Sequence, residues 1–134
     1  MAGERILIVD DNATNLKLVA YLMKANGYTV DTALDAESAT EAIRASRPDV
    51  ILMDIQLPGI DGLELTRRLK ADPSTRDIAI VAVTAYAMKG DQAKALAAGC
   101  DDYVTKPIDT RSLPETIARH LASRKAGVLT GGRA

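Results

Sequence analysis

Three unbroken apolar runs of strand length punctuate the chain: Ile6-Leu7-Ile8-Val9, Val50-Ile51-Leu52-Met53 and Ala79-Ile80-Val81-Ala82-Val83. A strand with water on neither face reads this way, so the runs predict three central strands. Thr29-Val30-Asp31-Thr32-Ala33 and Asp102-Tyr103-Val104-Thr105 alternate polar with apolar and predict the two edges. Between the strands the apolar period changes to that of a helix. Leu16, Val19, Ala20 and Met23 fall at i, i+3, i+4 and i+7; Ala36, Ala39 and Ile43 repeat the spacing, as do Leu65 with Leu69, and Leu113 with Ile117 and Leu121. A fourth helix, alanine-rich and weakly patterned, is expected over about 90–98. Gly27 and Gly99 stand where helix C-termini should be, Asp35 can cap the second helix, and Ser112 with Glu115 offers a capping box to the fifth.

Five βα units in succession demand right-handed crossovers, and hence a parallel sheet with helices on both faces. With the first, third and fourth strands central, the strand order is 2-1-3-4-5. This is an α/β, flavodoxin-like (βα)5 fold, a doubly wound three-layer sandwich around a five-stranded parallel sheet. The length of 134 residues suits one domain. That domain is expected over 4–124, with a flexible C-terminal tail over 125–134.

In such a sheet ligands bind outside the carboxyl ends of the strands, where the order reverses, here between the first and third strands. Asp10-Asp11 follows the first strand, Asp54 the third, Thr84 the fourth and Lys106-Pro107 the fifth. Two carboxylates about 4 Å apart repel by roughly 4 kcal/mol at an effective dielectric near 20, so three in one crevice call for a cation or a proton. An all-oxygen set open to water favours Mg²⁺, which keeps several waters and often bridges carboxylates to phosphate. Ionised Asp54 can then act as a nucleophile toward an activated phosphoryl group, whose oxygens the metal and Lys106 would hold. Converting one carboxylate to an acyl phosphate adds roughly one further negative charge at neutral pH. The hydroxyl of Thr84 can answer that charge by swinging inward, which would vacate space for the ring of Tyr103 on the neighbouring strand. The pair is a candidate switch.

Composition removes other classes. Net charge is −1 with both signs mixed along the chain, so no basic field for nucleic acid is present. The single cysteine, Cys100, cannot form an internal disulfide, and residues 1–5 lack the apolar stretch of a signal peptide, so a cytoplasmic protein is expected. No apolar run approaches the roughly 18 residues of a membrane span.

Ile8-Val9-Asp10-Asp11-Asn12, Leu52-Met53-Asp54-Ile55-Gln56-Leu57-Pro58-Gly59-Ile60-Asp61-Gly62, Val83-Thr84-Ala85 and Tyr103-Val104-Thr105-Lys106-Pro107 together resemble the receiver domain of bacterial two-component response regulators, the CheY-like family. The likeness covers about residues 4–124. It implies that Asp54 is the phosphoacceptor, that Asp10, Asp11, Asp54 and the backbone carbonyl of Gln56 hold Mg²⁺, and that Thr84 and Lys106 contact the phosphoryl group. It also implies a cis Lys106-Pro107 bond, and roles for Gln56 and Tyr86 in tuning hydrolysis of the acyl phosphate. The phosphodonor would be a histidine kinase or a histidine phosphotransfer protein, in a two-component system or phosphorelay. The output would be a changed surface over the fourth helix, fifth strand and fifth helix, presented to another protein. Such a chain is not an enzyme beyond its own phosphorylation and dephosphorylation, and is expected as a monomer or weak dimer. The segment 85–91 is similar both to stand-alone regulators of the cell-division type and to receivers of hybrid histidine kinases, so a receiver excised from a larger protein stays open. So does an unphosphorylated binding module.

Two neighbouring chemistries fit less well. An aspartate-nucleophile phosphatase wants a second acid two residues after the nucleophile, where Gln56 stands, and a nucleotide-binding turn wants glycines where Asp10-Asp11-Asn12-Ala13-Thr14 stands. Asp61 reads as a turn residue before Gly62, Asp101-Asp102 as a solvated turn, Cys100 as a small buried residue and His120 as a boundary residue of the last helix. Tyr103 reads equally as an ordinary edge-strand aromatic.

Overall fold

The computed structural model describes residues 4–55, 62–84, 91–105 and 111–129, without the side chains of Thr84, Asp91, Gln92 and residues 123–129. Five strands alternate with five helices: β1 (Arg5–Val9), α1 (Ala13–Ala25), β2 (Thr29–Ala33), α2 (Ala36–Ala45), β3 (Val50–Asp54), α3 (Gly62–Ala71), β4 (Ala79–Thr84), α4 (Asp91–Ala98), β5 (Asp102–Thr105) and α5 (Ser112–Leu129). The strands form one parallel sheet in the order β2-β1-β3-β4-β5, as the apolar pattern predicts.

The pleat sends alternate side chains of the central strands into two separate cores. Leu7, Val9, Ile51, Met53, Ile80 and Ala82 pack with α2, α3 and Ala95 of α4 on one face. Ile6, Ile8, Val50, Leu52, Val81 and Val83 pack with α1 and α5 on the other. The helix positions named by their spacing, from Leu16 and Val19 to Ile117 and Leu121, are all buried. Burying one such aliphatic side chain contributes about 1.5–3 kcal/mol, so the two cores dominate folding.

Local chemistry sets the helix ends. Asn12 caps α1 by accepting the Asn15 amide at 3.0 Å. Asp35 caps α2 in a reciprocal box with Ser38. Gly27 and Gly99 follow α1 and α4 with φ of 91° and 111°, a left-handed conformation that glycine adopts without penalty. One expectation changes. Ser112 is itself the first residue of α5 rather than a residue ahead of it. The backbone of α5 stays helical to Leu129. The reason is composition: Ala122, Arg124, Lys125 and Ala126 favour helix, and Gly127 costs only about 1 kcal/mol relative to alanine.

Candidate functional site

Asp10 and Asp11 stand just beyond β1, and Asp54 is the last residue of β3, the adjacent strand. Parallel pairing therefore delivers all three to one end of the sheet, at the point where the strand order reverses. Their carboxylates each offer an oxygen, and these oxygens lie within 4.8 Å of one another. Asp10 and Asp54 are buried, whereas Asp11 is exposed, so the cluster opens to water on one side.

Hydrogen bonds at Asp10 and beside Asp54 hold the two buried acids. The Asp10 amide donates to the Ala33 carbonyl at 3.1 Å, and its Oδ1 accepts the Asn12 amide at 2.8 Å. This turn runs directly into the N-cap of α1, so capping the helix and aiming Asp10 are one event. Beyond Asp54, the Ile55 amide donates to the Val83 carbonyl at 3.1 Å and the Gly62 amide donates to the Ile55 carbonyl at 3.2 Å. Ile55 is thus tied both to β4 and to the first residue of α3. Gly62 lies so near Asp54 that a Cβ there would overlap the Asp54 carbonyl oxygen and sit 2.7 Å from the Ile55 Cα. The sequence reading quoted Gly62 without giving it this role; the Asp61-Gly62 pair after the strand was the available signal.

The structure brings together Asp10, Asp11 and Asp54. Thr84 closes β4, paired with Thr105 of β5, and its side chain lies outside the description. Gln56, Tyr86, Lys106 and Pro107, with the peptide bond between the last two, lie outside the described residues. Tyr103 is half-buried in β5 and packs against the core on the α3 and α4 face.

The expectation of a solvated turn at Asp101-Asp102 does not hold. Asp101 Oδ2 accepts from the Ile80 amide at 2.8 Å and from Lys70 Nζ at 2.9 Å, and Asp102 Oδ2 meets His120 Nε2 at 2.8 Å and Arg119 at 3.2 Å. Consecutive residues at a strand entrance point to opposite faces, and here each face offers a cation. Burial pushes the Asp102 carboxyl up, but the bonds from His120, the Tyr103 amide and Arg119 outweigh it and hold the group below the usual carboxylate value. Cys100 is buried as expected, and burial pushes its thiol up, with the bond to Thr66 acting the other way.

Comparison with known proteins decides the family, since the profile described as "Response regulator receiver domain" matches residues 6–118. The chain belongs to that family. The receiver is 45% identical over 116 residues to the polar-differentiation response regulator DivK of Brucella anthropi, covering 87% of this chain and 94% of that one. Its fold matches the CheY-like receiver domain protein of Methanospirillum hungatei JF-1 at a TM-score of 0.85 and 31% identity, over 92% of this chain and 97% of the other. It also matches, at a TM-score of 0.82 and 36% identity over 90% and 99% of the two chains, the receiver domain of a sensor histidine kinase from Pseudomonas aeruginosa PAO1, solved with a magnesium ion coordinated in its active site cleft. Receiver domains of this family take phosphate from histidine kinases. No helix among the described residues of this receiver is long and apolar enough to cross a membrane.

Proposed function

We propose that this receiver is a Mg²⁺-dependent phosphoryl acceptor whose acceptor atom is a carboxylate oxygen of Asp54. The observation that carries the reading is the convergence of Asp10, Asp11 and Asp54 within 4.8 Å at the switch point of the sheet. The donor set fits the ion: three hard oxygens, two buried and one exposed, with an open side for water. Asp10, Asp11, Asp54 and the carbonyl of Gln56 would hold it. When bound, Mg²⁺ supplies positive charge that offsets the carboxylates and the phosphoryl oxygens.

The chain's own residues do the rest. An Asp54 oxygen attacks phosphorus, an O–P bond forms, and the N–P bond of a phosphohistidine on a histidine kinase or histidine phosphotransfer protein breaks. The imidazole leaves with that bond's electron pair and takes a proton from solvent. The β3–β4 backbone bonds hold Asp54 in place, so its carboxylate is aimed before the donor arrives. Lys106 supplies a fixed positive charge to the phosphoryl oxygens, and Thr84 donates its hydroxyl to one of them. That donation moves Thr84 and frees room for Tyr103, altering the surface over α4, β5 and α5 that a target protein reads. The protein catalyses only its own phosphorylation and dephosphorylation, acts in the cytoplasm, and works as a monomer or weak dimer.

Intact mass after incubation with acetyl phosphate, with and without Mg²⁺, tests this for the native protein and Asp54→Asn. A gain of one phosphoryl group that needs both Mg²⁺ and Asp54 is the expected result. A native protein that gains nothing from acetyl phosphate or from a phosphorylated histidine partner would leave a binding module without phosphoryl chemistry.

A further inference from the structure

The entrance to β5 is held from both sides of the sheet at once. On one side Asp101 binds Lys70 of α3, and Lys70 Nζ also donates to the Ile78 carbonyl at 2.8 Å and the Arg76 carbonyl at 3.1 Å. The stem of Lys70 lies over Gly99, where a Cβ would come within 2.8 Å of its Cγ. On the other side Asp102 binds His120, in the middle of α5 and eighteen residues away, while Arg119 adds a more exposed contact. The Asp101 amide donates to the Ile80 carbonyl at 2.7 Å and the Asp101 carboxylate takes the Ile80 amide, so the same point is also sewn to β4.

The β5–α5 contact leaves a cleft that starts at the clamp itself, where Asp102 and Arg119 form part of its wall. This cleft of about 350 Å³ lies between the two elements, lined also by Val104, Thr105, Ser112 and Thr116 among others. Along β5 the direct bonds to α5 are therefore those at Asp102, and toward the strand's exit, the end that carries the acidic cluster, the cleft separates the two elements.

We propose that the Asp101-Asp102 pair is a fixed pivot for the signalling face: it clamps the start of β5 between α3 and α5, so that within β5 phosphorylation displaces Tyr103, Val104 and Thr105 and leaves residues 101 and 102 in place. Asp102 and His120 are thus positioning residues for the switch. This rests on the Tyr103 switch described above. A clamp that joins both helix layers confines movement because each acid is held by more than one bond, Asp101 by Lys70 and the Ile80 amide and Asp102 by His120 and Arg119.

The test uses backbone amide resonances and the imidazole resonance of His120, the one histidine of the chain, before and after loading with Mg²⁺ and beryllium fluoride, a mimic of the acyl phosphate. Fluorine resonances of the bound adduct report occupancy of Asp54 separately. In the native protein the Tyr103, Val104 and Thr105 amides are expected to shift while Asp101, Asp102 and the His120 ring stay in place. In Asp102→Ala and His120→Ala the displacement spreads back to residues 101 and 102. His120→Gln, which keeps a donor toward Asp102, restores the confinement. Urea unfolding of each variant separates lost stability from lost confinement. Native shifts that already include Asp101, Asp102 and His120 would overturn the pivot, as would shifts that stay confined in both alanine variants. A loaded native protein with no response at Tyr103 would overturn the switch reading itself, and the pivot with it.

Discussion

Gly62 Cα rests against the backbone of Asp54, and any Cβ at position 62 would overlap the Asp54 carbonyl oxygen. Because the obstacle is backbone of a central strand, it cannot swing aside as a side chain would. Gly62→Ala is expected to cost about 1–3 kcal/mol, the usual range for overpacking. Urea unfolding measures that loss. The same substitution should slow phosphorylation by acetyl phosphate by displacing Asp54.

Three carboxylates with oxygens within 4.8 Å repel one another when no cation is present. Asp11→Asn removes one charge from the exposed member, where solvent screening keeps the gain near 1 kcal/mol. The variant should be more stable than the native protein in EDTA. Added Mg²⁺ should raise the melting temperature of the native protein and leave that of Asp11→Asn nearly unchanged, as thermal unfolding with and without the ion would show.

The lowered Asp102 carboxyl makes stability depend on acid. A carboxyl held below its ordinary value of 3.8 in the folded state contributes stability that is present above that value and lost as pH falls through the folded one. Native protein should therefore lose its advantage over Asp102→Asn between about pH 5 and pH 2. Parallel chemical unfolding across that window checks the sign; a gap that widens toward low pH would be inconsistent with it.

Lys70 places its ammonium on two carbonyls and one carboxylate while its side chain is only 20% exposed. Replacing it by methionine keeps the stem over Gly99 and removes the donors. Hydrogen bonds from charged groups contribute about 1.5–3 kcal/mol, so Lys70→Met should lower unfolding free energy by about 2 kcal/mol.

The Cys100 thiol is buried, raised above its ordinary 9.0, and donates to Thr66 Oγ1 at 3.8 Å. Thiolate, not thiol, reacts with alkylating agents. Labelling by iodoacetamide at neutral pH should be slow in the folded protein and rise to the rate of a free cysteine in urea.

The strands and their order were legible because covered strands carry unbroken apolar runs, and edge strands such as 29–33 and 102–105 do not. The acidic cluster was legible for a related reason: once Asp10-Asp11 and Asp54 end adjacent parallel strands, topology alone brings them together. What stayed hidden depends on side-chain direction rather than on period. Asp101-Asp102 looks like a polar turn in sequence, and only the partners Lys70 and His120, far away along the chain, show it to be a joint. Gly62 was visible as a glycine, but its closeness to Asp54 is a contact between the end of β3 and the start of α3, which no local pattern encodes. The far end of α5 has no signature in the apolar stripe, which stops at Leu121 while helix propensity carries the backbone to Leu129.

Parallel strands give the molecule a polarity with practical weight. Every strand climbs toward the acidic cluster and every helix descends from it, so Arg5 at the start of β1 and Leu129 at the end of α5 lie on the far side. A fluorophore or a surface tether attached at the start of β1 would hang beneath the sheet, leaving the carboxylates facing the solution and free to meet a partner.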